Sequence, residues 1–460
     1  MIKYNKRKRV LEQVEYNYEL QEPREPKLYK DMFSYGEVPR ITFNYRLVPM
    51  DPPEEIWITD TTFRDGQQSL PPFSVEQIVD LFTMMHKLGG PKGVVRRSEF
   101  FVYTPKDRLA VEKCQAKNYR YPEITGWIRA NKNDFDLVKK MGLKETGILT
   151  SCSDYHIYLK LKRTRKQALK DYLEIVDEAI ERKIIPRCHF EDITRADFYG
   201  FVVPFAEELM KKAREAKMPV KIRLCDTLGL GVIHPGATLP RSVHGIVYGL
   251  SHLAGVPPEW LEWHGHNDFC RSVSNATAAW LYGCSGANGT LLGIGERTGN
   301  TPIEALIMEH IGLRGHTNGI DTTVITDIAN YFEKNIGYKI PHNQPFVGAN
   351  FNKTYAGIHA DGLLKHREIY TIFDTEKILN RPIEIGITDK SGAAGITLSL
   401  NNYLKARGSK KAVHKAHPGV MKIKGWIDRE YHQGRITVIS EDELIKKAAE
   451  YIPEYFAKIK

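Results

Sequence analysis

The chain has 460 residues, 42% hydrophobic and 27% charged, with a formal net charge of +10. That length can bury a large core in two or three domains, and the composition is that of an ordinary globular enzyme, which argues against a disordered or fibrous chain. No apolar run reaches the roughly eighteen residues a membrane-spanning helix needs. The six cysteines form no Cys-x-x-Cys pair, which argues against a disulfide framework or thiolate zinc site and for a reducing cytoplasm.

The chain opens on a basic run, Lys6-Arg7-Lys8-Arg9, that no apolar segment follows, so it does not read as a secretory signal. Basic stretches recur at 160–166 and 405–415. They suit a solvated face, a phosphorylated or polyanionic small substrate, or nucleic acid. The last is the weakest, because no zinc-finger spacing, RNA-recognition motif or basic heptad is present. Residues 1–55 are rich in Glu, Lys, Pro and Tyr, lack a sustained period and read as an arm.

From Ile56 short apolar runs alternate with longer amphipathic ones. Strands are predicted over 56–61, 94–101, 123–128, 145–150, 186–190, 220–224, 261–266 and 289–294. Helices are predicted between them, as over 75–88, 134–141, 165–182, 199–217, 242–254 and 272–282. Strict alternation implies a parallel sheet, and about eight repeats in some 260 residues is the size of a (β/α)8 TIM barrel. A doubly wound sheet would want a Gly-rich turn after the first strand, and Asp60-Thr61-Thr62-Phe63-Arg64-Asp65 is not one. Past Gly315 the period weakens. A linker-like stretch, 316–321, leads to helical segments around 324–335, a Gly-rich mixed region and a closing helix over 444–451. Ser440 and Glu443 make a capping box for that helix. The expected domains are the arm 1–55, a catalytic barrel 56–315 and an accessory region 316–460.

A barrel gathers its active groups at the C-terminal ends of its strands. The sequence puts polar residues there in every repeat: Arg64 and Asp65, Glu99, Arg129, Ser153 to His156, Glu191 and Asp192, Asp226 and Thr227, His264 and His266, Glu296 and Arg297. On a strand, residues two apart share a face, so His264 and His266 can reach one ion while Gly265 points away. With Asp65 they form a two-imidazole, one-carboxylate set suited to a divalent metal with open positions, and each histidine taken alone would read as a satisfied core residue. Arg64 can hold a carboxylate or steady an oxyanion, or simply pair with Glu99 or Glu191. Glu191 can act as acid or base, or be a structural partner of Arg195 or Arg223. Thr227 offers a hydroxyl to a substrate carboxylate. The glycines around Glu296-Arg297 read as a tight turn. Cys152, Cys225 and Cys270 fall near strand ends, where packing is the plain reading and oxidative inactivation the sharper one.

Taken together, Asp60-Thr61-Thr62-Phe63-Arg64-Asp65-Gly66-Gln67-Gln68, Phe190-Glu191-Asp192, Cys225-Asp226-Thr227-Leu228-Gly229, His264-Gly265-His266-Asn267-Asp268 and Gly293-Ile294-Gly295-Glu296-Arg297-Thr298-Gly299-Asn300 resemble the metal-dependent acyl-CoA Claisen-condensing enzymes. That family includes isopropylmalate, homocitrate and Re-type citrate synthases. The resemblance is dense over 56–315 and thinner beyond. It implies acetyl-CoA and a 2-oxo acid as substrates, a divalent metal (Mn2+ or Co2+ first, then Zn2+, Fe2+ or Mg2+) and a cytoplasmic homodimer, without nucleic-acid or membrane partners. It also implies roles: the metal on Asp65, His264 and His266; Arg64 at the developing alkoxide; Thr227 on the carboxylate; Glu99 among the substrate-binding groups; Arg129 or His156 at a distal carboxylate. His359, in Gly357-Ile358-His359-Ala360-Asp361-Gly362, resembles the family histidine placed over a barrel, often the partner's, as base, with Tyr370 beside it and Glu191 assisting.

Some features depart from the family pattern. Asp389-Lys390-Ser391-Gly392 stands where Gly-Lys-His-Ser-Gly is usual, and Phe63 replaces Leu. Too few residues remain for a leucine-binding regulatory domain, so leucine feedback is not expected. The lyase relatives carry Cys in the loop that here reads Leu291-Leu292-Gly293-Ile294-Gly295-Glu296, which favours a synthase, and no biotin-attachment Met-Lys-Met is present. The arm, residues 62–69 and Ser151-Cys152-Ser153-Asp154-Tyr155-His156 are most similar to the Re-type citrate synthase branch, which joins acetyl-CoA to oxaloacetate. Homocitrate synthase, with 2-oxoglutarate as acceptor, and an isopropylmalate synthase-like enzyme are the alternatives within the family. A basic nucleic-acid-binding protein is the alternative outside it, and the polar strand ends argue against that.

Overall fold

Trp57-Ile58-Thr59-Asp60 is buried at every position, as a strand covered on both faces must be. It opens a closed parallel barrel in the computed structural model, which describes residues 2–5, 9–13 and 18–456. Lys6, Arg7 and Lys8 of the basic run lie outside the described residues. Two short strands, β1 (Ile2–Asn5) and β2 (Val10–Gln13), pair antiparallel within the arm. The barrel strands are β3 (Trp57–Asp60), β4 (Val95–Phe101), β5 (Glu123–Ile128), β6 (Glu145–Ser151), β7 (Ile185–Glu191), β8 (Lys221–Asp226), β9 (Leu261–Gly265) and β10 (Gly286–Gly289). They run in chain order around the ring, and β10 closes it against β3. Helices α1 (Val75–Gly89), α2 (Pro105–Gln115), α3 (Phe135–Lys140), α4 (Arg165–Glu181), α5 (Val203–Ala216), α6 (Val243–His252), α7 (Ser272–Leu281) and α8 (Ile303–Arg314) follow the strands in turn. This is the (β/α)8 TIM barrel expected from the alternation. Capping boxes start α1, α2 and α4, where Ser74, Thr104 and Thr164 accept from the third residue on.

The eighth strand differs from expectation. It is Gly286–Gly289, not 289–294, and the apolar Leu291-Leu292 that suggested a strand forms a tight turn instead. Leu292 and Gly293 sit at φ 56° and 66°, in the left-handed region that no strand uses.

The chain divides into two units, Met1–Asp321 and Thr322–Lys460. The second holds the helices α9 (Val324–Tyr331), α10 (Gly357–Lys365), α11 (Thr375–Leu379), α12 (Ala393–Ala406), α13 (Pro418–His432), α14 (Glu441–Tyr451) and α15 (Pro453–Phe456). Its own core includes Ile396, Leu400, Val420, Ile427 and Leu444. The Ser440/Glu443 capping box is present. No helix of the described residues is long and apolar enough to cross a membrane.

The barrel's interior is unusual. Such lumens are ordinarily filled with branched apolar side chains, whereas this one holds buried ion pairs. Glu99 on β4 reaches Arg187 on β7 (2.6 Å) and Arg223 on β8 (2.8 Å). Neither strand neighbours β4, so these contacts cross the lumen. Arg187 also pairs with Glu145 (2.6 Å), Lys221 with Glu145, and Arg223 with Glu262. Each charge removed from water here has an opposite charge against it, the condition under which burial is tolerable.

Candidate metal centre

The turn after β3 is built by its own polar side chains. Asp60 accepts from the Thr62 backbone (2.8 Å) and from Ser98 (2.5 Å), and the Thr61 carbonyl accepts from the backbone N–H groups of Arg64, Asp65 and Gly66. Phe63 packs on Phe100 with ring centroids 4.8 Å apart, which accounts for an aromatic residue there. At Gly66 a Cβ would come to 3.0 Å from the Ile294 side chain, which would have to give way by a small shift. The turn delivers Asp65 to the barrel mouth beside His264, in β9, and His266, just beyond it.

The Nε2 atoms of His264 and His266 lie 3.9 and 3.7 Å from Asp65 Oδ2, and all three side chains are buried. One donor atom from each lies within 4.8 Å of the others. Donors about 2.1 Å from a shared ion stand roughly 3–3.5 Å apart, so the gap is one divalent ion wide after a small adjustment. Burial pushes the His264 imidazole down to about 3 and lowers His266 as well, so both rings are neutral ligands at neutral pH. Burial raises the Asp65 carboxyl, but Arg64 and the two imidazoles outweigh it and hold it well below the carboxylate range. Asp65 Oδ2, the atom both imidazoles face, is a buried acceptor without a hydrogen-bond partner among the described residues. Unpaired buried acceptors are costly, and a cation at this point would offset that cost. The residues therefore fit a divalent metal.

Asn288 on β10, which the sequence reading missed, orients the site. Its Oδ1 lies 2.7 Å from His264 Nδ1, and its amide nitrogen donates to Thr59 Oγ1 (2.9 Å). That fixes the hydrogen on Nδ1 and leaves the Nε2 lone pair toward Asp65. Asn288→Ala is expected to weaken Mn2+ or Co2+ binding by about 10–100-fold, read by titrating metal into the metal-stripped chain. Unchanged affinity would show that the amide does not orient the ligand.

The other expected site residues divide into groups. Arg64 donates from Nε to Glu99 (2.8 Å) and from Nη1 to Asp65 (2.9 Å), so its pairing with Glu99 is as expected. Glu99 itself is filled by Thr61, Arg64, Arg187 and Arg223. The substrate contact expected of it gives way to a positioning role. Glu191 pairs with neither Arg195 nor Arg223. It lies 3.0 Å from His156 Nδ1 and 3.4 Å from Lys160 Nζ, and it accepts from Ser151. Arg195 holds Asp192 instead, and Arg223 is committed to the lumen. Burial raises the Glu191 carboxyl, but the His156 and Ser151 hydrogen bonds and Lys160 bring it to about 2. These contacts hold it as an anion between His156 and Lys160.

Thr227 Oγ1 accepts from the Asp192 backbone (2.9 Å) and sits 3.4 Å from the Cys225 carbonyl. Arg129 is turned outward onto Asp134 (3.0 Å), away from the distal-carboxylate role expected of it. Asp226 serves the fold, accepting from Thr194 (2.8 Å) and from the Leu230 and Gly231 backbone. Arg297 holds Asp268 (2.8 Å) and the Thr227 carbonyl (2.5 Å), and Gly299, at φ 88°, turns the chain where a Cβ would strike the Gly293 carbonyl. Cys152 and Cys225 are buried, and burial pushes both thiols up, which removes the reactive thiolate an oxidation switch needs; Cys270 is exposed. His359 and Tyr370 belong to the second unit, where their rings lie 4.3 Å apart.

The family model described as HMGL-like matches residues 55–332. Citrate (Re)-synthase of Syntrophus aciditrophicus is 59% identical over 459 residues, covering 99% of this chain and 73% of the relative. Citrate (Re)-synthase of Clostridium kluyveri is 53% identical over 443 residues, 96% of this chain and 98% of the relative. Among solved structures, an HMG-CoA lyase of Bacillus subtilis aligns with a TM-score of 0.50 at 17% identity, over 64% of this chain and 97% of that one, a likeness of fold.

Proposed function

The chain belongs to the HMGL-like family, and on that premise we propose that it is an acyltransferase with citrate (Re)-synthase activity, condensing acetyl-CoA with oxaloacetate to give citrate and free CoA. The observation that carries the choice of acceptor is the identity of 59% and 53% running through both units.

Asp65, His264 and His266 would hold a divalent ion, for which we favour Mn2+ or Co2+ from the mixed nitrogen and oxygen donors, and it would supply Lewis acidity toward the carbonyl of a 2-oxo acid. Arg64 is held on two sides by Glu99 and Asp65, and Nη2 makes no hydrogen bond among the described residues, so it is available for the oxygen that becomes an alkoxide. The Thr227 hydroxyl proton has only a long bond to the Cys225 carbonyl and can turn to the acceptor's carboxylate. His156 and Lys160, gathered by Glu191, meet the distal carboxylate in place of Arg129. We assign removal of the acetyl methyl proton to His359, with the Tyr370 ring tilted against it. The methyl carbon then attacks the acceptor carbonyl, and water cleaves the thioester to release CoA. Buried free thiols suit a cytoplasmic setting, and the same reading implies a homodimer.

Thiol release from acetyl-CoA with oxaloacetate, 2-oxoglutarate and 2-oxoisovalerate tests the reading. Oxaloacetate is expected to lead in kcat/KM by at least about tenfold, the discrimination one methylene or one carboxylate contact provides. Chelation should stop the reaction, and added Mn2+ or Co2+ should restore it. No thiol release with oxaloacetate in the metal-loaded chain would overturn the assignment.

A further inference from the structure

The arm is an integral part of the barrel mouth over residues 18–30. Tyr18 stacks on Tyr199, with centroids 5.5 Å apart, and the Gln21 backbone donates to the Gly200 carbonyl (3.0 Å). Glu22 accepts from the first two N–H groups of α4, Arg165 (3.1 Å) and Lys166 (2.8 Å), and from the Tyr158 hydroxyl (2.8 Å). A carboxylate on free N–H groups at a helix start is favourable twice, by hydrogen bonding and by the helix dipole. The Lys27 backbone donates to Asp154 (2.6 Å), and its ammonium pairs with Asp197 (3.0 Å). Those two carboxylates also hold the fully buried Arg165, at 2.8 and 3.1 Å. The arm thus adds a half-exposed cation, Lys27, to the buried group of Asp154, Asp197 and Arg165.

The arm also reaches a single π-type helical turn, Tyr155–Lys160, which follows β6. Such π-type turns are uncommon and need outside support. The arm grips it from two points. The Tyr155 hydroxyl donates to the Leu28 carbonyl (2.8 Å), and Tyr158 reaches Glu22 and the Pro23 carbonyl. The Tyr155 ring also lies 5.3 Å from the Lys30 ammonium and 4.0 Å from the Arg195 guanidinium. Arg195 in turn holds Asp192 through both carboxylate oxygens (2.9 and 3.0 Å). Between the gripped tyrosines the turn carries His156, and at its end Lys160, both facing Glu191.

We propose that the N-terminal arm is a positioning element of the active site: Glu22, Lys27 and the Leu28 carbonyl fix the turn Tyr155–Lys160 so that His156 and Lys160 meet the 2-oxo acid. The inference rests on the functional reading above, in which that pair faces the acceptor. Of the arm, the Glu22 carboxylate, the Pro23 and Leu28 carbonyls and the Lys30 ammonium act on the turn directly, and Lys27 acts through Asp154 and Asp197 beside it. The effect belongs to acceptor binding and not to acetyl-CoA.

The test uses the full-length, metal-loaded chain. Glu22→Ala should raise KM for oxaloacetate about 5–20-fold with KM for acetyl-CoA unchanged, and Glu22→Gln, which keeps an acceptor oxygen, should recover most of the loss. In a His156→Ala background Glu22→Ala should add less than about twofold, because two changes acting through one group are not additive. Parallel rises in both KM values, or the same oxaloacetate effect of Glu22→Ala with and without His156, would reduce the arm to a stabilising strap. If Glu22→Ala folds poorly, Tyr155→Phe removes only the hydroxyl that binds Leu28 and is expected to show the same selective KM change; an unchanged KM there overturns the proposal. The parent chain is assayed alongside, so absence of citrate formation in the parent marks failure of the functional reading, and activity unaffected by these variants marks failure of this one.

Discussion

His266→Ala is expected to lower citrate formation about a thousandfold or more, because on the proposed reading it takes away one of the three groups that would hold the carbonyl-polarising ion, a contribution of several kcal/mol at about 1.4 kcal/mol per decade of rate. The fold is expected to survive. His266 lies past the end of β9, its Nδ1 has no partner to orphan, and Asp65 keeps its bond to Arg64. His264→Ala is the instructive contrast. It also empties the ligand position, but it strands the Asn288 amide oxygen, which now receives the Nδ1 proton, so a stability loss of about 1–3 kcal/mol accompanies the loss of rate. Metal content by elemental analysis, steady-state thiol release and urea unfolding on both variants separate the effects. Near-parental turnover in metal-stripped His266→Ala would refute the ligand assignment.

Part of this architecture is legible in the sequence. Seven of the eight barrel strands announce themselves as apolar runs between amphipathic helices, because the parallel sheet is buried on both faces. The candidate metal group is legible because His264 and His266 are two apart at a strand end. Asp65 follows in a turn whose acid and threonines satisfy its own backbone. What fails is whatever depends on direction or on distant partners. Gly286-Ala287-Asn288-Gly289 has no apolar run to mark it, so β10 was placed late and Asn288 overlooked. Position after β5 suggests that Arg129 faces the site, but Tyr103 and Asp134 lie outward and take it. The lumen network of Arg187, Lys221 and Arg223 has no local signature, because the acids that accept them come from other strands. The arm shows no period because its contacts are backbone and single side chains laid on the barrel, which leaves no repeating pattern.

Glu99→Ala should be the most destabilising single change in the barrel and should also impair turnover. Glu99 is where Arg64, Arg187 and Arg223 converge, and burial is overcome by those guanidiniums so completely that its carboxyl is held well below the ordinary range. Removing it leaves three buried or nearly buried cations short of an anion. Arg187 retains Glu145 and Arg223 retains Glu262, but Arg64 keeps only Asp65. Breaking one side of a buried ion pair costs about 3–5 kcal/mol, several times the typical surface pair. Urea unfolding should show that loss, and Glu99→Gln, which preserves shape and one acceptor, should lose less. The catalytic consequence is separate: with its Nε anchor gone, Arg64 turns further onto Asp65 and competes with the metal, so metal affinity and kcat fall together even where the variant remains folded. Acid should act on the same lumen. Burial raises the Glu145 carboxyl, but Lys221, Arg97 and Arg187 bring it to about 2, against an ordinary 4.5. A carboxyl depressed in the folded state stabilises it fully above the ordinary value and loses that contribution as pH falls toward the depressed one. The network should therefore hold at pH 5 and fail progressively between about 4.5 and 2, the window the shift sets. An unfolding free energy unchanged by Glu99→Ala at neutral pH would mean that water, not the ion-pair network, fills the barrel.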